Sequence, residues 1–254
     1  MNTVMIGYDE RESEAYRVCY DSIMRHCSTP VRVVPLVEYY LRQAGFYARR
    51  WYRDADGQRR DTLDGKPFST DFAFSRFLVP ALSLYQGWVL FCDCDFLFTA
   101  DLAELFSLAN HRYAVMCVKH DHVPAEDEKM DGEQQTRYRR KNWSSLVLWN
   151  CAHDANAHLS VECVNKMPGQ WLHAFDWLSD EQIGALPPTW NHLVGYDKVS
   201  RETPCGIHFT SGIPTMAGHE DDSYAELWRQ ERDRHRLLRE RFVRKISLEE
   251  GALL

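Results

Sequence analysis

Trp88-Val89-Leu90-Phe91-Cys92 is an unbroken apolar run of strand length, stopped abruptly by Asp93-Cys94-Asp95. A strand without polar alternation has both faces covered, which calls for helices on either side of a sheet and so commits the chain to an α/β architecture. Tyr113 to Val118 and Ser145 to Trp149 repeat the pattern, and Val31 to Val37 is rich in β-branched residues. At the start, Val4-Met5-Ile6 ends at Gly7-Tyr8-Asp9, and Glu12 to Cys27 carries apolar residues at helical spacing. The opening unit is therefore predicted as strand, helix, strand.

Elsewhere the pattern predicts less regular structure. Residues 49–66 are highly charged with little periodicity and read as a surface loop. From Ser69, the apolar positions Phe72, Phe74, Phe77, Leu78, Leu82 and Leu84 predict a helix ending near Gly87. The 254 residues suit one large domain, taken as 1–218, with a C-terminal helical extension at 219–254. That extension carries Leu227, Leu237, Leu238, Phe242 and Ile246 among charges.

A net charge of -7 argues against a general nucleic-acid binder, which needs a basic face. The N-terminus lacks a basic segment followed by a signal-length apolar core, and no run approaches the roughly 20 residues that span a bilayer. A cytoplasmic protein is expected, its eight scattered cysteines reduced.

Asp93 and Asp95 flank one residue at the C-terminal end of a buried strand, where open α/β sheets bind their ligands. Two carboxylates so placed can turn toward one hard cation, completed by substrate phosphate oxygens, water or a histidine. The bland alternative is an acidic turn. Gly7 lets a base or ribose approach the backbone, Tyr8 can stack, Asp9 can accept a hydrogen bond, and the Arg76 guanidinium can pair with phosphate; an ordinary strand-ending turn and a surface ion pair are the competing readings. Lys119-His120-Asp121-His122 gathers polar groups after another buried strand and reads either as a sugar, phosphate or acceptor contact or as a solvated loop. His192 and His219 read as surface or loop histidines.

The order Gly7-Tyr8-Asp9, Ser75-Arg76, Phe91 to Asp95, Ser144-Ser145 and His208 resembles family eight of the retaining glycosyltransferases. Ser69 to Pro80, Val115 to His122 and Lys141 to Ser145 look more narrowly like a bacterial branch related to it. The resemblance implies the GT-A fold, one Rossmann-like α/β domain with a central mixed sheet. It implies that Asp93, Asp95 and His208 hold Mn²⁺ (or Mg²⁺) against the diphosphate of a nucleotide-sugar donor, with UDP favoured. Gly7, Tyr8 and Asp9 would lie against the nucleoside, and Arg76 would approach the donor sugar or its phosphates. Cys94, Lys119, His120, Ser144, Ser145 and Gly212 fall on the same donor side. Asp180-Glu181 is the best counterpart of the acidic residue near the anomeric carbon.

Departures from the family pattern are the indole of Trp143 where a polar residue is usual and Gly212-Ile213-Pro214-Thr215 where Gly-x-x-Pro-Trp is usual. The implied reaction is sugar transfer, with retention, to a glycan or glycolipid acceptor of surface-polysaccharide synthesis. A haloacid-dehalogenase-type phosphatase with Asp93 as nucleophile and a non-catalytic nucleotide-sugar-binding protein are the alternatives. Arginines 229 to 244, interleaved with Glu231, Asp233 and Glu240, fit a solvated or dimer-forming helix, or one that touches an anionic membrane at its inner face.

Overall fold

The computed structural model describes residues 1–120, 128–129, 133–134 and 140–234. β1 (Asn2–Tyr8) leads through a short 3₁₀ turn to α1 (Ser13–His26), then β2 (Val31–Val37), α2 (Glu38–Gln43) and a hairpin of β3 (Trp51–Arg53) and β4 (Arg59–Asp61). A 3₁₀ turn at Ser75–Leu78 runs into α3 (Val79–Leu82), followed by β5 (Trp88–Cys92), β6 (Phe96–Phe98), α4 (Leu102–Ser107) and β7 (Val115–Cys117). A two-residue ladder pairs β8 (Glu128–Lys129) with β9 (Glu133–Gln134). Then come β10 (Leu146–Asn150), α5 (Val161–Lys166), α6 (Gly169–His173), β11 (Ile183–Ala185), β12 (His192–Leu193) and β13 (Gly206–His208).

Six strands form the central sheet in the order β11-β7-β10-β5-β1-β2. Every pairing is parallel except the two made by β10, so the sheet is mixed. The buried-strand runs behave as their sequences require: Leu90, Phe91, Cys92, Leu146 and Leu148 are all fully buried. β1, β5 and β7 share a direction, so Tyr8, Cys92 and Cys117 end on one edge, and Leu146, which opens antiparallel β10, lies opposite Cys92 on that same edge. A second sheet, β12-β13-β6, pairs His208 with Phe96 immediately beyond the acidic pair.

Two expectations are corrected. Residues 49–66 do not form a surface loop: β3 and β4 make a hairpin that turns at Gly57, whose φ of +82° suits glycine. Its Arg49, Arg59 and Asp61 are buried, because each charge meets an opposite one. The segment after Ser69 is not one helix to Gly87. Only Val79–Leu82 is α-helical, with Pro80 in its first turn, and Leu84 and Tyr85 at φ 53° and 55° end it.

Residues 225–234 are helical and pack onto the body, with Trp228 fully buried and Glu231 paired to Arg25 of α1 at 2.7 Å. The rest of the expected terminal helix, from residue 235, lies outside the described residues, as do Asp121 and His122. All eight cysteines are free, and burial pushes the Cys117 and Cys151 thiols up to about 12. No helix among the described residues is long and apolar enough to cross a membrane.

Candidate functional site

The register of the two sheets brings three side chains together. Asp93 follows the last residue of β5, and its backbone N–H donates to the Ser145 carbonyl at 2.9 Å. Asp95 precedes β6, its carbonyl accepting from Phe209 N at 3.0 Å, and His208 ends β13 beside it. One ligand atom from each of Asp93, Asp95 and His208 lies within 4.8 Å of the others, and all three residues are buried. His208 Nε2 stands 3.3 Å from Asp95 Oδ1, its ring stacked on Phe96 with centroids 4.4 Å apart.

Two carboxylates and an imidazole at this separation are a donor set that suits Mn²⁺ or Mg²⁺. Arg76 donates Nη1 to the Ser144 carbonyl at 3.0 Å and places the same nitrogen 2.7 Å from Asp93 Oδ1. Its guanidinium is held between Phe72 and Phe91, 5.3 and 5.2 Å from the ring centroids. With His208 neutral, Arg76, Asp93, Asp95 and His208 sum to one negative charge in a buried place. A divalent cation would bring the group to a net positive charge that favours a diphosphate.

Around this centre the anticipated residues divide. Ser144 and Ser145 belong to the 3₁₀ turn Trp143–Ser145 that leads into β10, and their carbonyls accept from Arg76 and from Asp93 N. Ser144 Oγ lies 2.9 Å from Nδ1 of His173, a residue the sequence did not single out, and Ser145 Oγ accepts from Asn191 Nδ2 at 3.0 Å. Lys119 is exposed, 5.6 Å from the Trp143 ring, whose Nε1 donates to the His120 carbonyl at 2.9 Å. The indole that departs from the family pattern thus ties the turn before β10 to the segment that follows β7.

Cys94 is fully buried and donates its Sγ to Glu12 Oε2 at 3.0 Å, toward α1. Asp180 and Glu181 precede β11, on the side where β7 begins; Asp180 pairs with Arg140 while its own side chain is largely exposed. His192 is not a surface residue: it is buried in β12, its ring edge-on to Tyr224. Burial there lowers its pKa.

The glycines serve packing. A Cβ on Gly7 would meet the Phe72 ring at 2.4 Å, so the space above Gly7 holds that ring, and a Cβ on Gly212 would meet His219 at 2.3 Å. Phe72 in turn carries Arg76. Gly7→Ala is therefore expected to cost about 1–3 kcal/mol by overpacking and to displace Arg76 with the ring. Urea unfolding checks the first effect, and the position of the Arg76 guanidinium in a crystal structure of the variant checks the second.

Asp9, 1% exposed, accepts from Arg11 N at 3.0 Å, from Arg11 Nε and Nη2, and from Asp71 N at 3.1 Å. Arg59 from the hairpin reaches both Asp9 and Asp71. Tyr8 beside it is half-buried, edge-on to Tyr16. Burial, and then the Asp9 charge, push the Asp71 carboxyl up to about 6, while Arg11 and Arg42 oppose the shift. The folded value lies above the ordinary value near 3.9, so this group's stabilising contribution is present below about pH 4 and lost as pH rises through about 6. With the side chain about a third exposed, Asp71→Asn should flatten that fall by about 1 kcal/mol after solvent screening. Urea titrations at acidic and neutral pH read it.

Over 236 residues the chain is 45% identical to Protein CDI of Arabidopsis thaliana, a match covering 91% of this chain and 86% of that protein. No family model matches it. Among solved structures it is similar to the glycosyltransferase GlyE of Streptococcus pneumoniae TIGR4, with TM-score 0.58 and 14% identity over 91% of this chain and 61% of that one. It is similar to the bifunctional glycosyltransferase WbbM, with TM-score 0.59 and 15% identity over 91% of this chain and 49% of that one. The galactosyltransferase LgtC, solved with donor and acceptor sugar analogs, gives TM-score 0.57 and 12% identity over 91% of this chain and 95% of that one. The chain thus spans less than two thirds of GlyE and about half of WbbM, and nearly all of LgtC. These likenesses establish the fold as that of GT-A glycosyltransferases.

Proposed function

The chain belongs to the same family as Protein CDI of Arabidopsis thaliana, and from that footing we propose that it is a metal-dependent glycosyltransferase that takes its sugar from a nucleotide-sugar donor. The observation that carries the proposal is the convergence of Asp93, Asp95 and His208 at the C-terminal edge of the sheet, in a GT-A fold. A bound Mn²⁺ or Mg²⁺ supplies neutralisation of the charge that develops on the leaving diphosphate. Asp93, Asp95 and His208 would hold it.

The chain's own residues supply the rest. Arg76 fixes Asp93 and adds a buried positive charge beside the place of the phosphates. Tyr8 lines the nucleoside end, where UDP is the favoured base and phosphate arrangement, and Asp9 braces that end through Arg11 and Arg59. Lys119, exposed beside Trp143, stays available to the donor phosphates or sugar, and a glycan or glycolipid is the first choice of acceptor. Transfer proceeds with retention, a hexose being the expected group.

The phosphatase alternative has less support, because Asp93, its required nucleophile, is held in an ion pair by Arg76. Incubating the protein with a panel of nucleotide sugars, with Mn²⁺ and with EDTA, tests the proposal by nucleoside diphosphate release. Metal-dependent release from one donor supports it. Donor binding without release under any condition would instead favour a non-catalytic binding protein.

A further inference from the structure

A chain of four buried groups runs away from the cation cluster, and its direction can be read. The Ser145 hydroxyl donates to the Asn142 carbonyl at 2.8 Å. A carbonyl only accepts and a hydroxyl has one proton, so Ser145 Oγ meets its next neighbour with a lone pair. That neighbour is Asn191 Nδ2, which donates to it at 3.0 Å. The amide is thereby oriented, and Asn191 presents its Oδ1 to His208 Nδ1, 3.0 Å away. An amide oxygen accepts, so Nδ1 carries the proton. A neutral His208 then has its lone pair on Nε2, the nitrogen that faces Asp95.

Burial makes this chain consequential. Asn191 and His208 are fully buried and Ser145 is 4% exposed, so water does not offer the imidazole an alternative partner. Asn142 reaches its place with φ 64° and ψ 0°, the left-handed conformation that asparagine tolerates better than most residues, and this aims its carbonyl back at Ser145. Ser145 is also the residue whose carbonyl holds Asp93 N. Ser145 therefore reaches Asp93 through its own carbonyl and His208 through Asn191.

We propose that Asn191 and Ser145 are positioning residues that hold His208 in the Nδ1–H tautomer and thereby set the affinity of the Asp93, Asp95 and His208 cluster for a divalent cation. The inference rests on reading that cluster as a cation site. An outer partner that fixes a ligand histidine's tautomer typically accounts for ten- to hundredfold in metal affinity. Asn191→Leu removes the acceptor at similar volume, Ser145→Ala releases the amide to rotate, and Asn191→Asp keeps an acceptor opposite Nδ1.

Two measurements on the full chain test it. In metal-free protein with ¹⁵N-labelled histidine, the His208 resonances, identified by their loss in His208→Gln, should report a proton on Nδ1. In Asn191→Leu the proton should move to Nε2 or distribute between the two nitrogens. Mn²⁺ titration followed by electron paramagnetic resonance should show affinity lowered about ten- to hundredfold in Asn191→Leu, lowered in the same direction in Ser145→Ala, and within about threefold of wild type in Asn191→Asp, whose carboxylate accepts the same proton. Should Asn191→Leu not fold, Ser145→Ala carries the test. A wild-type His208 protonated on Nε2, or unchanged Mn²⁺ binding in both folded variants, would overturn the relay alone. Absence of Mn²⁺ binding to the wild type contradicts the cation reading itself.

Discussion

Asp95→Ala is expected to lower donor turnover by about a thousandfold or more, equivalent to about 4 kcal/mol of transition-state stabilisation. Asp95 offers one of the three ligand atoms, and its loss leaves Asp93, already paired with Arg76, and His208 to hold a cation alone. The same change should not weaken the metal-free fold. It removes one negative charge from a buried group that sums to one negative, and the Phe209 N to Asp95 carbonyl hydrogen bond survives because it is made by the backbone. Turnover assays paired with thermal unfolding in EDTA separate the two effects: activity collapses while the unfolding temperature stays level or rises. A variant that loses both equally would show that Asp95 is structural.

The largest effect on stability is expected from Arg49→Met. Arg49 and Asp61 are 3% and 1% exposed and form an ion pair through the guanidinium Nε and Nη2. Nη1 donates to the carbonyls of Val164 and Met167 at 2.8 and 2.7 Å, and the guanidinium lies 4.1 Å from the Phe74 ring centroid. Methionine can fill the volume of the stem but leaves Asp61 as a buried charge facing apolar surroundings, a loss of about 3–5 kcal/mol. For a chain of this size that is a fall of roughly 6–20 °C in unfolding temperature. The double variant Arg49→Met, Asp61→Leu should recover part of it, because the stranded charge is gone.

This ion pair also explains what sequence reading missed. The central strands were legible because Trp88 to Cys92 and Leu146 to Trp149 carry no polar residue, and the acidic pair was legible because it stops such a strand. The hairpin at β3 and β4 was not, since Arg49, Arg59 and Asp61 look like solvent-facing residues until their partners are placed. Those partnerships depend on chain folding that leaves no local pattern. The Asp54 to Gly57 turn was the available signal, with Asp54 Oδ1 accepting from Asp56 N and Gln58 N.

The site divides in the same way. Asp93 and Asp95 are two residues apart and announce themselves, whereas His208 was reached only through family resemblance, and it meets them because β13 pairs with β6. Asn191 carries no signal at all: it stands between Trp190 and His192, and its partner Ser145 lies 46 residues upstream. Gly7 reads in sequence as a place where a base or ribose approaches the backbone, yet the space above it holds the Phe72 ring, as the space beside Gly212 holds His219. A missing side chain in sequence does not say whether a ligand or the protein occupies the gap.

The proposal turns on whether Asp93, Asp95 and His208 would hold a divalent cation, which would neutralise charge on the donor diphosphate. Crystals grown with Mn²⁺ and a nucleoside diphosphate, measured at a wavelength where manganese scatters anomalously, test it directly. The expected result is an anomalous peak within coordination distance of Asp93, Asp95 and His208 Nε2, adjacent to phosphate density. A bound nucleotide with no anomalous peak there, or a peak held by other residues, would contradict it.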